Sequence, residues 1–125
     1  MNHLEFGAEG ESIAARYLED LGWHILDRNI RVGRDELDIS AMDGDELVII
    51  EVRTRSIGVL LPAEMSVGPQ KLRKIIRAAR KYVEKISYRG NWRIDVVAVT
   101  ENKDSNREVE LFSNVTMGME GGFMG

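Results

Sequence analysis

The sequence predicts an α/β fold in the order α-β-β-β-α-β-β, a mixed sheet flanked by helices. Three observations lead there. Two stretches, residues 11–21 and one beginning at Pro69, carry apolar residues at helical spacing. Between them, and again after the second, residues alternate or gather in β-rich runs. The strong turn signal Asp43-Gly44 separates two of those runs into a hairpin. An α/β sandwich accommodates this order.

In chain order, residues 11–21 place Ile13, Ala14, Tyr17, Leu18 and Leu21 at helical spacing, and Gly22 is a natural stop. Trp23 to Asn29 alternates loosely and suggests a strand. Glu36 to Met42 alternates strictly, with Leu37, Ile39 and Ala41 on one face and Glu36, Asp38 and Ser40 on the other. Leu47 to Arg55 follows as a β-rich run. Pro69 suits a first helical turn, and Leu72, Ile75, Ile76, Ala79, Val83 and Ile86 then make one apolar stripe. Ile94 to Thr100 is a further strand and Val109 to Val115 a short one. One domain is expected over 1–116, followed by a flexible Gly/Met-rich tail over 117–125.

A chain of 125 residues and 14.1 kDa suits a single compact domain. It has no cysteine, which excludes disulfides, zinc–thiolate sites, iron–sulfur clusters and cysteine nucleophiles. The longest purely apolar runs, such as Leu47 to Ile50, fall far short of the ~20 residues a membrane helix needs. The opening Met1-Asn2-His3-Leu4-Glu5 has neither the basic nor the apolar region of a secretory signal, so a cytoplasmic location is expected. The net charge of −4 hides a strong asymmetry. From Lys71 to Arg93 there are nine Lys or Arg and one acid, a net +8, leaving −12 on the rest of the chain. A local field, not the average, decides which polyanion docks.

The hairpin gathers carboxylates. If Asp43-Gly44 is a two-residue loop, Met42 lies opposite Asp45, Glu36 opposite Glu51 and Asp38 opposite Ile49. Glu36, Asp38, Glu51 and Arg53 then project on one side, with Asp38 and Glu51 as diagonal neighbours. A four-residue loop would set Asp38 directly opposite Glu51. Three acids on one face repel one another unless a positive charge sits among them, either Arg53 or a hard cation such as Mg²⁺. The competing reading is a solvated face that merely keeps the strand soluble. Leu47 and Ile49 on the same face argue for partial burial.

These residues resemble a known family. Gly10-Glu11 opening a helix, Asn29 ending a strand, Glu36-Leu37-Asp38-Ile39, Glu51-Val52-Arg53, Lys71 and Arg93-Ile94-Asp95-Val96-Val97 look like the uncharacterised YraN-like proteins. The likeness runs in order over roughly residues 7–99. It implies the restriction-endonuclease-like αβββαβ core of the PD-(D/E)xK nucleases, similar also to Holliday-junction resolvases. It assigns Asp38 and Glu51 to the motif's two acids, binding Mg²⁺ or Mn²⁺ with help from the Val52 carbonyl, and Glu11 to an additional acid of the site. The metal would polarise a phosphodiester oxygen and activate a water for in-line attack. The sequence departs from the motif at its last position, where Arg53 stands in place of lysine. Arginine keeps its proton, so Arg53 suits charge stabilisation at the phosphate rather than proton transfer. Lys71 is the candidate for the missing ammonium.

The second helix extends this picture. Lys74, Arg77, Lys81 and Lys85 fall opposite its apolar stripe, with Lys71 and Arg73 beside them, a row suited to successive phosphates. A solvated helix face would carry mixed signs; here acids are nearly absent. Docking onto the acidic half of the same or a neighbouring copy is the rival use, and a junction-cleaving role would imply a homodimer with two sites. Asp95 reads as a structural ion-pair partner of Arg93, and Trp23, Trp92 and the two histidines as structural or surface residues. Gly33-Arg34-Asp35 does not form a phosphate loop, so nucleotide hydrolysis is not supported. The expected function is metal-dependent phosphodiester hydrolysis in DNA, using Asp38, Glu51, Arg53 and Lys71. The alternative is a catalytically silent nucleic-acid-binding module of the same fold.

Overall fold

A computed structural model describes residues 3–56, 68–102, 104 and 106–116, with side chains from residue 8 and, in the first of these segments, to residue 55. The tail expected over 117–125 lies outside the described residues. The elements are α1 (His3–Asp20), β1 (His24–Val32), β2 (Asp35–Asp43), β3 (Glu46–Ser56), α2 (Pro69–Lys85), β4 (Trp92–Glu101) and β5 (Arg107–Phe112). The αβββαβ order is therefore present, with β5 added at its end. The five strands form one sheet in the order β1-β2-β3-β4-β5. Only β3 and β4, joined through α2, run parallel, so the sheet is mixed.

Local chemistry explains the boundaries. Gly22, with φ +93, closes α1 by donating its N–H to the Glu19 carbonyl, while Trp23 N–H reaches Leu18. That bond pair is a Schellman cap, which needs a left-handed residue and so favours glycine. Pro69 opens α2 in its first turn, as the sequence predicts. Both hairpins use two-residue loops with glycine first, Gly33-Arg34 (φ +60 at Gly33) and Gly44-Asp45 (φ +63 at Gly44). β1 continues through Asn29, whose φ is +52, rather than ending there. The left-handed residue does not stop the strand, whose register irregularity lies earlier, between Ile25 and Asp27.

The core has two layers, one on each face of the sheet. Under α2, Leu47, Ile49 and Ile94 pack against Leu72, Ile75, Ile76, Ala79 and Tyr82. Tyr82 was not part of the expected stripe; its hydroxyl shares a 2.8 Å hydrogen bond with the buried Ser40 Oγ. Ile86 was, but it lies beyond the helix end and is exposed. Under α1, Ala14, Ala15 and Leu18 meet Ile39, Ala41, Val48, Ile50, Val97 and Val99. Leu37 was expected to share a face with Ile39 and Ala41, yet it joins Ile30 and Val32 in the α2 layer. Asn29, with its left-handed backbone, stands between the Arg28–Ile39 and Ile30–Leu37 pairs, where the buried side changes.

The hairpin register differs from the expected one by two residues. Asp43 pairs with Glu46 and Ile39 with Ile50. The glycine takes the first loop position instead of the second, as a Gly-X turn allows. A shift of two keeps every side chain on its face, so Glu51 still projects toward α2. The paired ladder between β2 and β3 ends at Ile39–Ile50, immediately before Asp38 and Glu51.

Candidate functional site

Where that ladder stops, Asp38 takes over its hydrogen bonding: Val52 N–H donates to Asp38 Oδ2 at 2.8 Å. An open pocket of about 630 Å³ forms beside it. Asp38 and Glu36 come to it from β2, Glu51 from β3, Glu11 from α1, and Lys71 and Lys74 from α2. The sequence reading thus placed Glu11, Asp38, Glu51 and Lys71 at one site, and the fold brings them to one cavity.

Glycine explains how α1 gets close enough. A β-carbon on Gly10 would lie 2.1 Å from the Thr54 methyl on β3, so the helix and strand touch there and Glu11, the next residue, enters the pocket. Arg107 of β5 binds Glu9 and Glu101, which fastens the same part of α1 to the far side of the sheet. Gly10→Ala should therefore cost about 1 kcal/mol, because the overpacking penalty exceeds the gain in helix propensity. Denaturant melts of Gly10→Ala and Gly10→Ala/Thr54→Ala check this, the second variant being expected to recover the loss.

The site's electrostatics are those of crowded, partly dehydrated acids. The Glu51 side chain is 9% exposed; burial first, and then the neighbouring Asp38 charge, push its carboxyl up to about 6. Burial also raises Asp38, against the opposing pull of the Val52 N–H and Lys71. Glu11 is raised by burial and by Asp38, with Arg28 opposing. Two cations answer the excess. Lys71 Nζ lies 3.3 Å from Glu51 Oε1, and Arg53 Nη1 lies 4.0 Å from the same oxygen. With Lys71 53% exposed, screening by water leaves its ion pair weak.

Carboxylate oxygens are the donors that Mg²⁺ and Mn²⁺ prefer, and three acids all shifted toward protonation make a cluster short of positive charge. The donor chemistry of Glu11, Asp38 and Glu51 therefore fits a hard divalent cation. Among the described residues, no three such side chains converge at coordination spacing.

The remaining sequence candidates sit on the exposed face of α2. Arg73, Lys74, Lys81 and Lys85 are exposed there, Lys74 at the edge of the pocket. Arg77 shares that face but makes a bidentate pair with Asp35, at 3.1 and 3.2 Å. Arg93 lies elsewhere, held by Asp43, Glu46 and Asp95 and stacked on Trp23 at 5.2 Å from the ring centroid. It is structural, as its pairing with Asp95 in the sequence suggested. Arg34 was missed. It lines the acidic pocket from the β1–β2 turn, and the available signal was its place in a Gly-X turn a few residues before Asp38.

Fold and site together define an α/β protein whose mixed sheet opens, between its second and third strands, into an acidic pocket edged by a basic helix. The chain belongs to the uncharacterised protein family UPF0102, whose profile matches residues 10–99. The resemblance to the YraN-like proteins is borne out. A UPF0102 protein of Chlorobaculum parvum is 50% identical over 110 residues, 85% of this chain and 83% of that one. UPF0102 proteins of Chlorobium limicola and Anaeromyxobacter dehalogenans are each 42% identical over 109 residues, covering 86% and 85% of this chain and 84% and 79% of theirs. No helix among the described residues is long and apolar enough to cross a membrane.

Proposed function

We propose that the pocket is the active centre of a metal-dependent endonuclease acting on DNA. The observation that carries this reading is the meeting of Glu11, Asp38 and Glu51, all held toward protonation, with Lys71 and Lys74 of a cationic helix. Such a pocket favours a divalent cation and a phosphate together. Asp38, Glu51 and Glu11 would hold Mg²⁺ or Mn²⁺. The bound ion supplies Lewis acidity toward the phosphodiester and lowers the pKa of water. The Asp38 carboxylate is kept in place by the Val52 N–H. Arg53 and Lys71, both beside Glu51, would meet the scissile phosphate as fixed positive charges. Arg73, Lys74, Lys81 and Lys85 extend a non-sequence-reading track for the backbone.

The test is a titration of wild type and Asp38→Asn with Mn²⁺ and Mg²⁺, following metal binding and cleavage of labelled duplex and branched DNA in parallel. Asparagine retains an acceptor for Val52 N–H, so loss of function there is not loss of fold. Metal-dependent cleavage by wild type, abolished in Asp38→Asn, is the expected result. No metal binding by wild type would overturn the catalytic reading. A silent nucleic-acid-binding module is the second reading, favoured by one observation: Glu51 is already engaged by Lys71 and Arg53. It predicts DNA binding that neither needs metal nor changes in Asp38→Asn.

A further inference from the structure

Among the pocket's cations, Lys71 faces Glu51 at 3.3 Å, whereas Arg34 and Lys74 line the pocket and make no ion pair among the described residues. They come from different elements, Arg34 from the β1–β2 turn and Lys74 from α2. A polar contact links those elements beside the pocket. Asp35, next to Arg34, has a side chain only 17% exposed and receives both Nε and Nη2 of Arg77. A guanidinium fork on a carboxylate fixes orientation as well as distance. Lys74 precedes Arg77 by three residues and so lies beside it on the same helix face. Core packing of Ile30, Val32 and Leu37 under α2 holds the two elements together, and the Asp35–Arg77 pair orients their pocket-side edges, where Arg34 and Lys74 stand.

We propose that Arg34 and Lys74 grip a phosphate of the bound strand from two sides, and that Asp35–Arg77 is the strut positioning that grip. Arg77 then acts through Asp35 and is not itself a phosphate contact. The grip rests on the nucleic-acid reading of the pocket and adds to it a strand-holding subsite. Arginine suits such a place because its fork matches phosphate oxygens in pairs, while lysine adds a mobile point charge. The subsite also offsets the repulsion that Glu36 and the other pocket acids exert on a phosphodiester.

The test is fluorescence anisotropy of labelled duplex DNA with the full chain in EDTA, which separates binding from cleavage, over a range of salt. Arg34→Gln should weaken binding about fivefold and lower the salt slope by about one, the signature of a lost phosphate contact. Arg31→Gln, which removes an equal charge from the exposed face of β1, should change binding less than twofold. Asp35→Asn decides the strut. Simple charge accounting predicts tighter binding, since a negative charge is removed and Arg77 is released; the strut predicts binding weakened several-fold. Arg77→Lys keeps the charge and loses the fork, and the strut predicts weakening there as well, with a thermal melt confirming that both variants fold. Tighter binding by Asp35→Asn, or equal losses in Arg34→Gln and Arg31→Gln, would overturn the proposal while leaving DNA binding intact. Absence of DNA binding by wild type, both in EDTA and with Ca²⁺ supplied in place of Mg²⁺, would overturn it together with the proposed function.

Discussion

Asp95→Ala is expected to destabilise the protein by about 3 kcal/mol, which for a chain of this size lowers the melting temperature by on the order of 10 °C. Asp95 has no exposed surface. Its carboxylate accepts the Arg93 Nε–H at 3.0 Å and the Asn114 backbone N–H at 2.7 Å. Alanine would leave that amide without its acceptor and a guanidinium, 14% exposed, without its most buried partner. Burial works against the charge on Arg93, but the hydrogen bonds it donates to Asp95, Asp43 and Glu46 hold its proton more tightly than usual. The cost stays near the lower end for a broken buried pair because Asp43 and Glu46 remain. Asp95→Asn keeps an acceptor and should lose about half as much. Urea melts of both variants measure this, and an Asp95→Ala loss below ~1 kcal/mol would contradict the assignment.

Glu51→Gln should have the opposite sign: it stabilises the metal-free protein above pH 6. The folded-state carboxyl titrates at about 6 against an ordinary 4.5, so the native state binds the proton more tightly than the unfolded chain. Stability contributed by this group is therefore present below pH 4.5, falls as pH rises to 6, and is fully lost above. The difference corresponds to about 2 kcal/mol at pH 7 to 8, reduced to about 1–2 kcal/mol by burying an amide in its place. Chemical melts in EDTA at pH 4.5 and pH 7.5 provide the check. Wild type and variant should converge at the lower pH and separate at the higher. A variant less stable at pH 7.5 would mean that Lys71 and Arg53 outweigh dehydration and repulsion at this carboxylate.

The hairpin shows how far the sequence alone could go with the site. Alternation across Glu36–Met42 and Leu47–Arg55 placed Asp38 and Glu51 on one face, and the fold keeps them there. It could not choose between registers two residues apart, because both preserve that face. The observed register sets Asp43 and Glu46, two acids, directly opposite each other, an unfavourable pair in an isolated hairpin. Arg93 arrives from β4 and binds both. Its charge is forty-seven residues from Glu46 along the chain, and no local pattern reports that distance.

Charge on α2 was legible in the same limited way. The sequence determined that Lys71, Lys74 and Arg77 lie off the apolar stripe, since helical periodicity fixes which side each residue occupies. Which acid each cation meets depended on how helix and sheet were brought together. Tertiary packing gave Lys71 to Glu51 and Arg77 to Asp35, and placed Arg34 at the pocket.

Local pattern in the chain is enough for the order of elements, the glycine-capped end of α1, the proline start of α2 and the shared face of the carboxylates. Each follows from spacing and backbone preference within a few residues. The close approach of Gly10 to Thr54, the move of Leu37 to the α2 layer and the pairing of Asp35 with Arg77 arise only in the folded molecule. These join residues distant in sequence, and such contacts are selected by the packing and charge balance of the whole fold rather than by any local period.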